Sequence, residues 1–277
     1  MIKQECYTLY NGVQIPKVGF GTWQTPNEQA YEAVIHALNA GYRHIDTAVV
    51  YENETGVGKA IKDSGIPREE LFITTKIPAD IKTYEGAVAS IEKSLVDLGL
   101  DYIDLHLIHA PWPWSEVGKD CKDGNVEVWK ALIEYYNAGK IRSIGVSNFH
   151  VADIEYLIEK TNFKPMVNQI RFFIGNTQEP ITQYCQANNI LIEAYSPMAT
   201  GELISNEIVQ KIADKYNTTN SKICLRYCIE RNTLPLPKSV TKSRIYDNID
   251  LDFEISKEDM KYLDDLYHIA STRKMRD

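Results

Sequence analysis

Leu71-Phe72-Ile73-Thr74-Thr75, a stretch carrying Val88, Ile91, Leu95 and Leu98, and Ile103-Asp104-Leu105-His106-Leu107-Ile108 together decide the fold. The two outer runs are short, aliphatic and rich in β-branched residues, as buried strands are. The middle run repeats its apolar residues at helical spacing. Strand, amphipathic helix, strand is a crossover unit, and it implies parallel strands.

The same alternation extends both ways. Upstream, Val18-Gly19-Phe20 reads as a strand. Residues 27–40 follow as a helix capped by Asn27 and stopped by Gly41. Arg43-His44-Ile45 is a strand and 52–64 a helix. Downstream, Trp129, Leu132, Ile133 and Tyr136 mark one helical face, and strands are predicted over 141–146, 165–169, 190–195 and 234–237. Helices are predicted over 150–160, 179–189, 205–216, 221–231, 242–249 and 256–267, the last with a Ser256/Asp259 capping box. Eight strands, nearly all followed by helices and with no linker among them, imply one domain over 1–277. The expected architecture is a (β/α)8 TIM barrel with extra C-terminal helices, in a chain of 277 residues against a typical size of about 250. Tyr7 to Gln14, turning at Asn11-Gly12, reads as an N-terminal hairpin that caps the barrel.

Composition narrows the function. Thirty Lys and Arg against 38 Asp and Glu leave a net charge of −8, which speaks against nucleic acid or an anionic membrane as partner. Five scattered cysteines make no zinc pattern or disulfide framework; Cys224 and Cys228 read as buried, reduced thiols. The N-terminus has no apolar signal core and no run is long enough for a membrane span. A cytoplasmic protein is expected, as a monomer or weak homodimer, with no metal.

In barrels, chemistry gathers where strands end. The polar residues there are Asp46 and Tyr51, Lys76, His109, Ser147 and Asn148, Asn168 and Gln169, Tyr195 and Ser196, and Lys238 and Ser239. His106 and His109 alternate to opposite faces of their strand, and either could face the rim. Competing motifs fail. Gly19-Phe20-Gly21 lacks the third glycine of a dinucleotide fingerprint, having Gln24. Gly56-Val57-Gly58-Lys59 lacks the flanking residues of a phosphate loop. Tyr136 with Lys140, and Tyr156 with Lys160, fall on predicted outer helices.

In their order and placement, several segments resemble the aldo-keto reductase family along essentially the whole chain. They are Gly19 to Trp23, Gly41 to Ala48 with Tyr51 and Glu54, Thr74-Thr75-Lys76, Asp101 to Leu105 leading to His109, Gly145 to Phe149, Asn168-Gln169, Ala194 to Pro197 and Pro237 to Val240. The chain is similar to bacterial-type members that reduce 2,5-diketo-D-gluconate or methylglyoxal. The resemblance implies an oxidoreductase that uses NADP(H) to reduce small aldehydes, α-ketoaldehydes or ketones. It makes Tyr51 the general acid, Lys76 its tuner, Asp46 the lysine's partner and His109 the group that orients the carbonyl. An ammonium beside a phenol favours the phenolate, so Lys76 is expected to lower the Tyr51 pKa.

On the cofactor side, Gly21, Thr22, Trp23, Asp46 and Ser196 are expected to contact the cofactor, and the resemblance makes Tyr195 the stacking face for the nicotinamide ring and Ser147, Asn148 and Gln169 the partners of its carboxamide. Lys238, Ser239, Val240, Thr241 and Arg244 would take the ribose 2′-phosphate, and Asn248 the adenine. Trp23, Val50, Trp112 and Trp114 are the expected pocket walls. Three departures stand out. Arg171-Phe172-Phe173-Ile174 replaces the usual acidic-aromatic-His-Pro run. Ala110 stands where a tryptophan often follows the histidine, which leaves either a wider pocket or Trp112 to fill the gap. Asp247 replaces a glutamate. The short stretch after the last helix predicts an open, broad-specificity pocket. Two alternatives remain: an NADPH-binding sensor or regulatory subunit with little turnover, and a metal-dependent isomerase or lyase.

Overall fold

Side-chain parity along short strands builds this molecule. In the computed structural model, which describes residues 1–266, an antiparallel hairpin of β1 (Cys6–Thr8) and β2 (Gln14–Pro16) precedes eight parallel strands. These are β3 (Gly19–Gly21), β4 (His44–Asp46), β5 (Phe72–Ile77), β6 (Leu105–Ile108), β7 (Ile144–Ser147), β8 (Val167–Arg171), β9 (Leu191–Tyr195) and β10 (Thr233–Leu236), paired in chain order. Gly21 N–H donates to Pro237 O at 2.9 Å, joining the end of the last strand to the first and rounding the sheet into a barrel. Around it run α1 (Asn27–Ala40), α2 (Glu54–Asp63), α3 (Tyr84–Leu98), α4 (Lys122–Asn137), α5 (Val151–Thr161), α6 (Glu179–Ala187), α7 (Glu207–Lys215), α8 (Asn220–Glu230), α9 (Lys242–Asn248) and α10 (Lys257–Asp264).

Every predicted element is present, but several strands begin and end later than predicted. Ile103 and Ile141 meet only as an isolated bridge, so β6 and β7 begin two and three residues beyond the apolar runs that announce them. Asn27 is not a cap: Pro26 precedes the first turn, and Asn27 Oδ1 instead accepts from Gly56 N–H at 2.7 Å, tying α1 to α2. Gly41 does stop α1, at φ 107° in the left-handed region that glycine tolerates. Ser256 caps α10 by accepting from Asp259 N–H. Residue 267 and His268, at the predicted end of that helix, lie outside the described residues.

Two faces of the strands serve two cores. Outward residues Ile45, Ile73, Ile108, Ile144, Val146, Ile170 and Ile192 are buried under the helices. Inward residues Phe72, Leu105, Leu107, Val167, Leu234 and Leu236 fill the lower barrel, where Leu9 and Ile15 from the hairpin segment close its floor. A side chain at Gly145 would meet Val167 O at 2.6 Å and Leu107 Cδ2 at 2.8 Å, so this interior admits only glycine there. Above this floor the inward positions turn polar: His44, Asp46, Thr74, Lys76, Ser147, Gln169 and Glu193 are all buried. A polar layer inside a barrel costs stability unless its members satisfy one another, and Asp46, Lys76 and Ser147 in it stand at or next to the C-terminal ends of their strands.

Outside that layer, buried Asp104 pins the start of β6. It pairs with Arg68 at 2.6 Å and Arg142 at 2.7 Å, and accepts from Ile73 N–H at 2.9 Å. Cys224 and Cys228 are buried and free on α8. No helix among the described residues is long and apolar enough to cross a membrane.

Candidate active site

Four side chains from four elements meet at the rim. Lys76 is an inward residue of β5, fully buried; its Nζ donates to Asp46 Oδ1 at 2.7 Å and to Thr47 O at 2.8 Å. Asp46 ends β4. Tyr51 closes a 3-10 turn, Val49–Tyr51, that carries the chain up from β4 and sets the phenol 3.4 Å from Lys76 Nζ. Burial opposes the lysine's charge, but Asp46 and Tyr51 outweigh it and hold the Lys76 pKa above its ordinary value. For Tyr51, burial is the largest influence and raises the phenol; Lys76 pulls the other way and does not prevail. The expected net lowering is therefore corrected. The resting phenol keeps its proton, and an ammonium beside it favours any phenolate formed there.

The histidine is settled by parity. His109 continues the inward series of Leu105 and Leu107, and its ring packs edge-on against Tyr51 at 5.7 Å between centroids. His106 is buried and, one residue out of step with Leu105 and Leu107, faces the helices. Burial, aided by Lys76, holds His109 well below its ordinary pKa, so the imidazole is neutral.

Aromatic rings wall the site. Trp114 lies edge-on to His109 at 5.8 Å and Trp112 edge-on to Trp114 at 5.1 Å. The ring that reaches His109 is thus Trp114, not Trp112. Lys82 fixes this loop: its Nζ donates to Ala110 O at 2.9 Å and to Asn125 Oδ1 at 2.7 Å, and Asn125 donates to Pro111 O. Trp23, Val50 and Trp114 are large apolar residues with more than 40% of their surface exposed, at 42%, 46% and 43%. Beside a buried polar cluster, such exposure marks a site that covers a ligand.

The cofactor residues fall into two groups. Ser147 Oγ donates to Gln169 O, and Asn148 Nδ2 donates to His109 O and Ser147 Oγ. Tyr195 OH donates to Asn148 Oδ1 at 2.8 Å, which fixes a half-buried ring at the end of β9. Gln169 gives both amide hydrogens away, to Asp46 and Glu193, and its side-chain oxygen Oε1 has no partner among the described residues. A fixed flat ring beside a free amide carbonyl fits a nicotinamide carboxamide. Thr22 accepts no such role directly: its hydroxyl is buried and donates to Asp46 O. Trp23, Val240, Thr241 and Arg244 are exposed, Ser196 is half-buried at φ 50°, and Asn248 is buried at the end of α9.

Beyond β10, Lys238, Lys242 and Arg244 have no carboxylate partner among the described residues, in a chain of net charge −8. Lys238 Nζ reaches only Gln24 O, at 3.4 Å, and Ser239 Oγ accepts from Thr241 N–H. Unpaired cations gathered within seven residues fit a phosphate. Asp247 pairs with Lys222 at 3.1 Å.

Two sequence expectations change here. Asn168 does not reach the rim; adjacent to inward Gln169, it faces outward and donates to Phe149 O. Residues 172–174 of the divergent loop are buried, Phe172 beside Tyr227 at 6.3 Å, while Arg171 lies over the Phe173 ring at 5.1 Å. Glu193, buried within the barrel, is the residue that sequence reasoning missed. The signal was a glutamate two residues before Tyr195 in an otherwise apolar strand.

The family model described as the aldo/keto reductase family matches residues 17–268. The chain belongs to this family. It is 45% identical over 260 residues to the glyoxal reductase of Bacillus subtilis, covering 93% of this chain and 91% of that one. It is 39% identical over 255 residues to the methylglyoxal reductase DkgA of Escherichia coli, covering 91% and 90%. Among solved structures, an aldo-keto reductase of Bombyx mori in complex with NADP superposes with a TM-score of 0.86 at 37% identity, covering 95% of this chain and 92% of that one. The fold reached from strand alternation is therefore this family's (β/α)8 barrel, and the chain is an oxidoreductase. No group of three His, Cys, Asp or Glu that could hold a metal ion occurs among the described residues.

Proposed function

We propose that this chain is an NADP(H)-dependent carbonyl reductase acting on small aldehydes, α-ketoaldehydes such as glyoxal and methylglyoxal, and ketones. The observation that carries the reading is the buried line Asp46–Lys76–Tyr51, closed at 2.7 and 3.4 Å beneath His109 and an aromatic wall. When bound, the reduced nicotinamide supplies a hydride to the carbonyl carbon. Tyr51 gives its proton to the carbonyl oxygen, and Lys76 stabilises the phenolate that remains. Asp46 and Thr47 O keep the ammonium charged and aimed. Neutral His109 donates a hydrogen bond that orients the carbonyl, and Trp23, Val50, Trp112 and Trp114 shield the transfer from water.

Tyr195 offers the stacking face and Gln169 the acceptor for the carboxamide, with Gly21, Ser147, Asn148 and Ser196 lining the approach. Lys238 and Arg244, with Ser239, Val240 and Thr241, hold the 2′-phosphate, and Asn248 borders the adenine. The chain works as one catalytic unit over 1–277, a monomer or weak homodimer in the cytoplasm, on free small molecules and with neither nucleic acid nor membrane.

A panel of aldehydes and α-ketoaldehydes tests this through NADPH consumption. Turnover is expected on the panel; binding of NADPH with no turnover on any member returns the chain to the sensor reading. Arg244→Ala is expected to weaken NADPH about tenfold while leaving NADH nearly unchanged, because a guanidinium lends charge-assisted bonds only to the 2′-phosphate. An unaltered ratio of the two dissociation constants removes Arg244 from the phosphate site.

A further inference from the structure

Beneath the proton relay lies a carboxyl that none of its steps uses. Glu193 is an inward residue of β9 and fully buried. Its Oε2 accepts from Gln169 Nε2 at 2.8 Å, and the same nitrogen donates to Asp46 Oδ2 at 2.8 Å. The Asp46 carboxylate can only accept, so Gln169 turns its NH2 end toward it, and the second hydrogen of that nitrogen reaches Glu193. Among the described residues Glu193 Oε1 has no hydrogen-bond partner. It lies 3.7 Å from His44 Nε2, which is engaged with Thr74 Oγ1 at 2.9 Å. His44 is no counter-charge, because burial holds its pKa down to about 3. Two carboxyls therefore share the single ammonium of Lys76, and Asp46 holds it directly.

We propose that Glu193 is a positioning residue of the relay: a neutral carboxylic acid that, through the shared amide of Gln169, holds Asp46 against Lys76 without competing for the ammonium. This rests on the carbonyl-reductase reading. The titratable groups facing Glu193 are His44 and Asp46 on β4 and Lys76 on β5; its register partners, Leu234 on β10 and Gln169 on β8, carry no charge. Burial is the largest influence on the carboxyl and Asp46 the next, both raising it; Gln169 and Lys76 oppose them, and the pKa is pushed up to about 8. Below that pH the acid is neutral and the Lys76 charge serves Tyr51. Above it a second carboxylate draws on the same ammonium, the Tyr51 phenolate loses support, and Tyr51 becomes a weaker acid.

The test joins a titration to a pH profile. In the intact chain with 13C-labelled glutamate carboxyls, the signal that disappears in Glu193→Gln is expected to titrate near pH 8. The wild-type kcat for aldehyde reduction is expected to fall about tenfold across that midpoint, and Glu193→Gln, with no proton to lose, to flatten this limb with KM within about twofold. An unmoved limb in Glu193→Gln overturns the inference. So does a folded wild type in which every glutamate titrates below about pH 6, whether or not it turns over aldehydes. A wild type that shows the high titration but reduces no carbonyl overturns the reductase reading instead.

Discussion

Tyr51→Phe is expected to lower kcat for aldehyde reduction by about 10²–10⁴-fold, the usual contribution of a positioned general acid. The substitution removes one oxygen. The ring keeps its edge-on packing against His109, and Lys76 keeps Asp46 and Thr47 O, its two closer partners at 2.7 and 2.8 Å. The fold and cofactor binding should therefore survive, and NADPH titration of the variant separates lost chemistry from lost structure. No other side chain is ready to give the proton. His109 is neutral, and Lys76 is fully buried and turned toward carboxylate and carbonyl oxygens. Substrate affinity should change little, because the phenol matters most once negative charge develops on the carbonyl oxygen. The pH dependence has a definite sign. Burial raises the Tyr51 pKa, so the donor form persists through the neutral range and is lost only as pH rises beyond the ordinary phenol value. Full activity in Tyr51→Phe removes Tyr51 as the acid.

How much of this was legible in the sequence follows from what periodicity encodes. The run Leu71 to Ile108 showed a strand, a helix and a strand, and repetition of that unit around the chain was enough for the barrel. Strand ends were less legible, because hydrogen bonding to neighbours decides them: Ile103 and Ile141 look like strand residues and pair only as a single bridge. The rim residues Asp46 and Lys76 could be placed because barrel chemistry follows strand ends. Neither the choice between His106 and His109 nor the outward turn of Asn168 could be decided, since parity is counted from a register that only the paired strands define. Interior partners were invisible for a different reason. Gln169 and Glu193 are register partners on neighbouring strands, but Asp46 comes from β4, 123 residues from Gln169, and only the barrel brings one amide between the two carboxyls. The net effect on Tyr51 was misjudged because charge is readable from residue type whereas desolvation depends on packing. Trp114 at His109 belongs with these: a loop tied down by Lys82 and Asn125 chooses which tryptophan arrives.

Lys76→Met carries the second large effect, and it should appear in both stability and rate. Methionine matches the length of the lysine stem but offers no hydrogen bond. Asp46 Oδ1 and Thr47 O then face a buried position that held an ammonium, with Gln169 as the carboxylate's remaining side-chain donor. Removing one partner of a buried pair costs about 3–5 kcal/mol, which in a chain of this size is a fall in Tm of roughly 10 °C. Tyr51→Phe makes no such demand, so the two variants should separate in a thermal melt although both are slow. On rate, Lys76→Met should lower kcat about 10²-fold or more, because the phenolate left by proton transfer loses its cation. The double variant decides whether lysine acts through tyrosine. If Lys76 serves only to support the Tyr51 phenolate, adding Lys76→Met to Tyr51→Phe costs little further rate, within about threefold, because groups that act as one unit are not additive. A loss equal to the product of the two single effects, measured below the lowered Tm, would place the ammonium on the substrate carbonyl itself and remove Tyr51 as its intermediary.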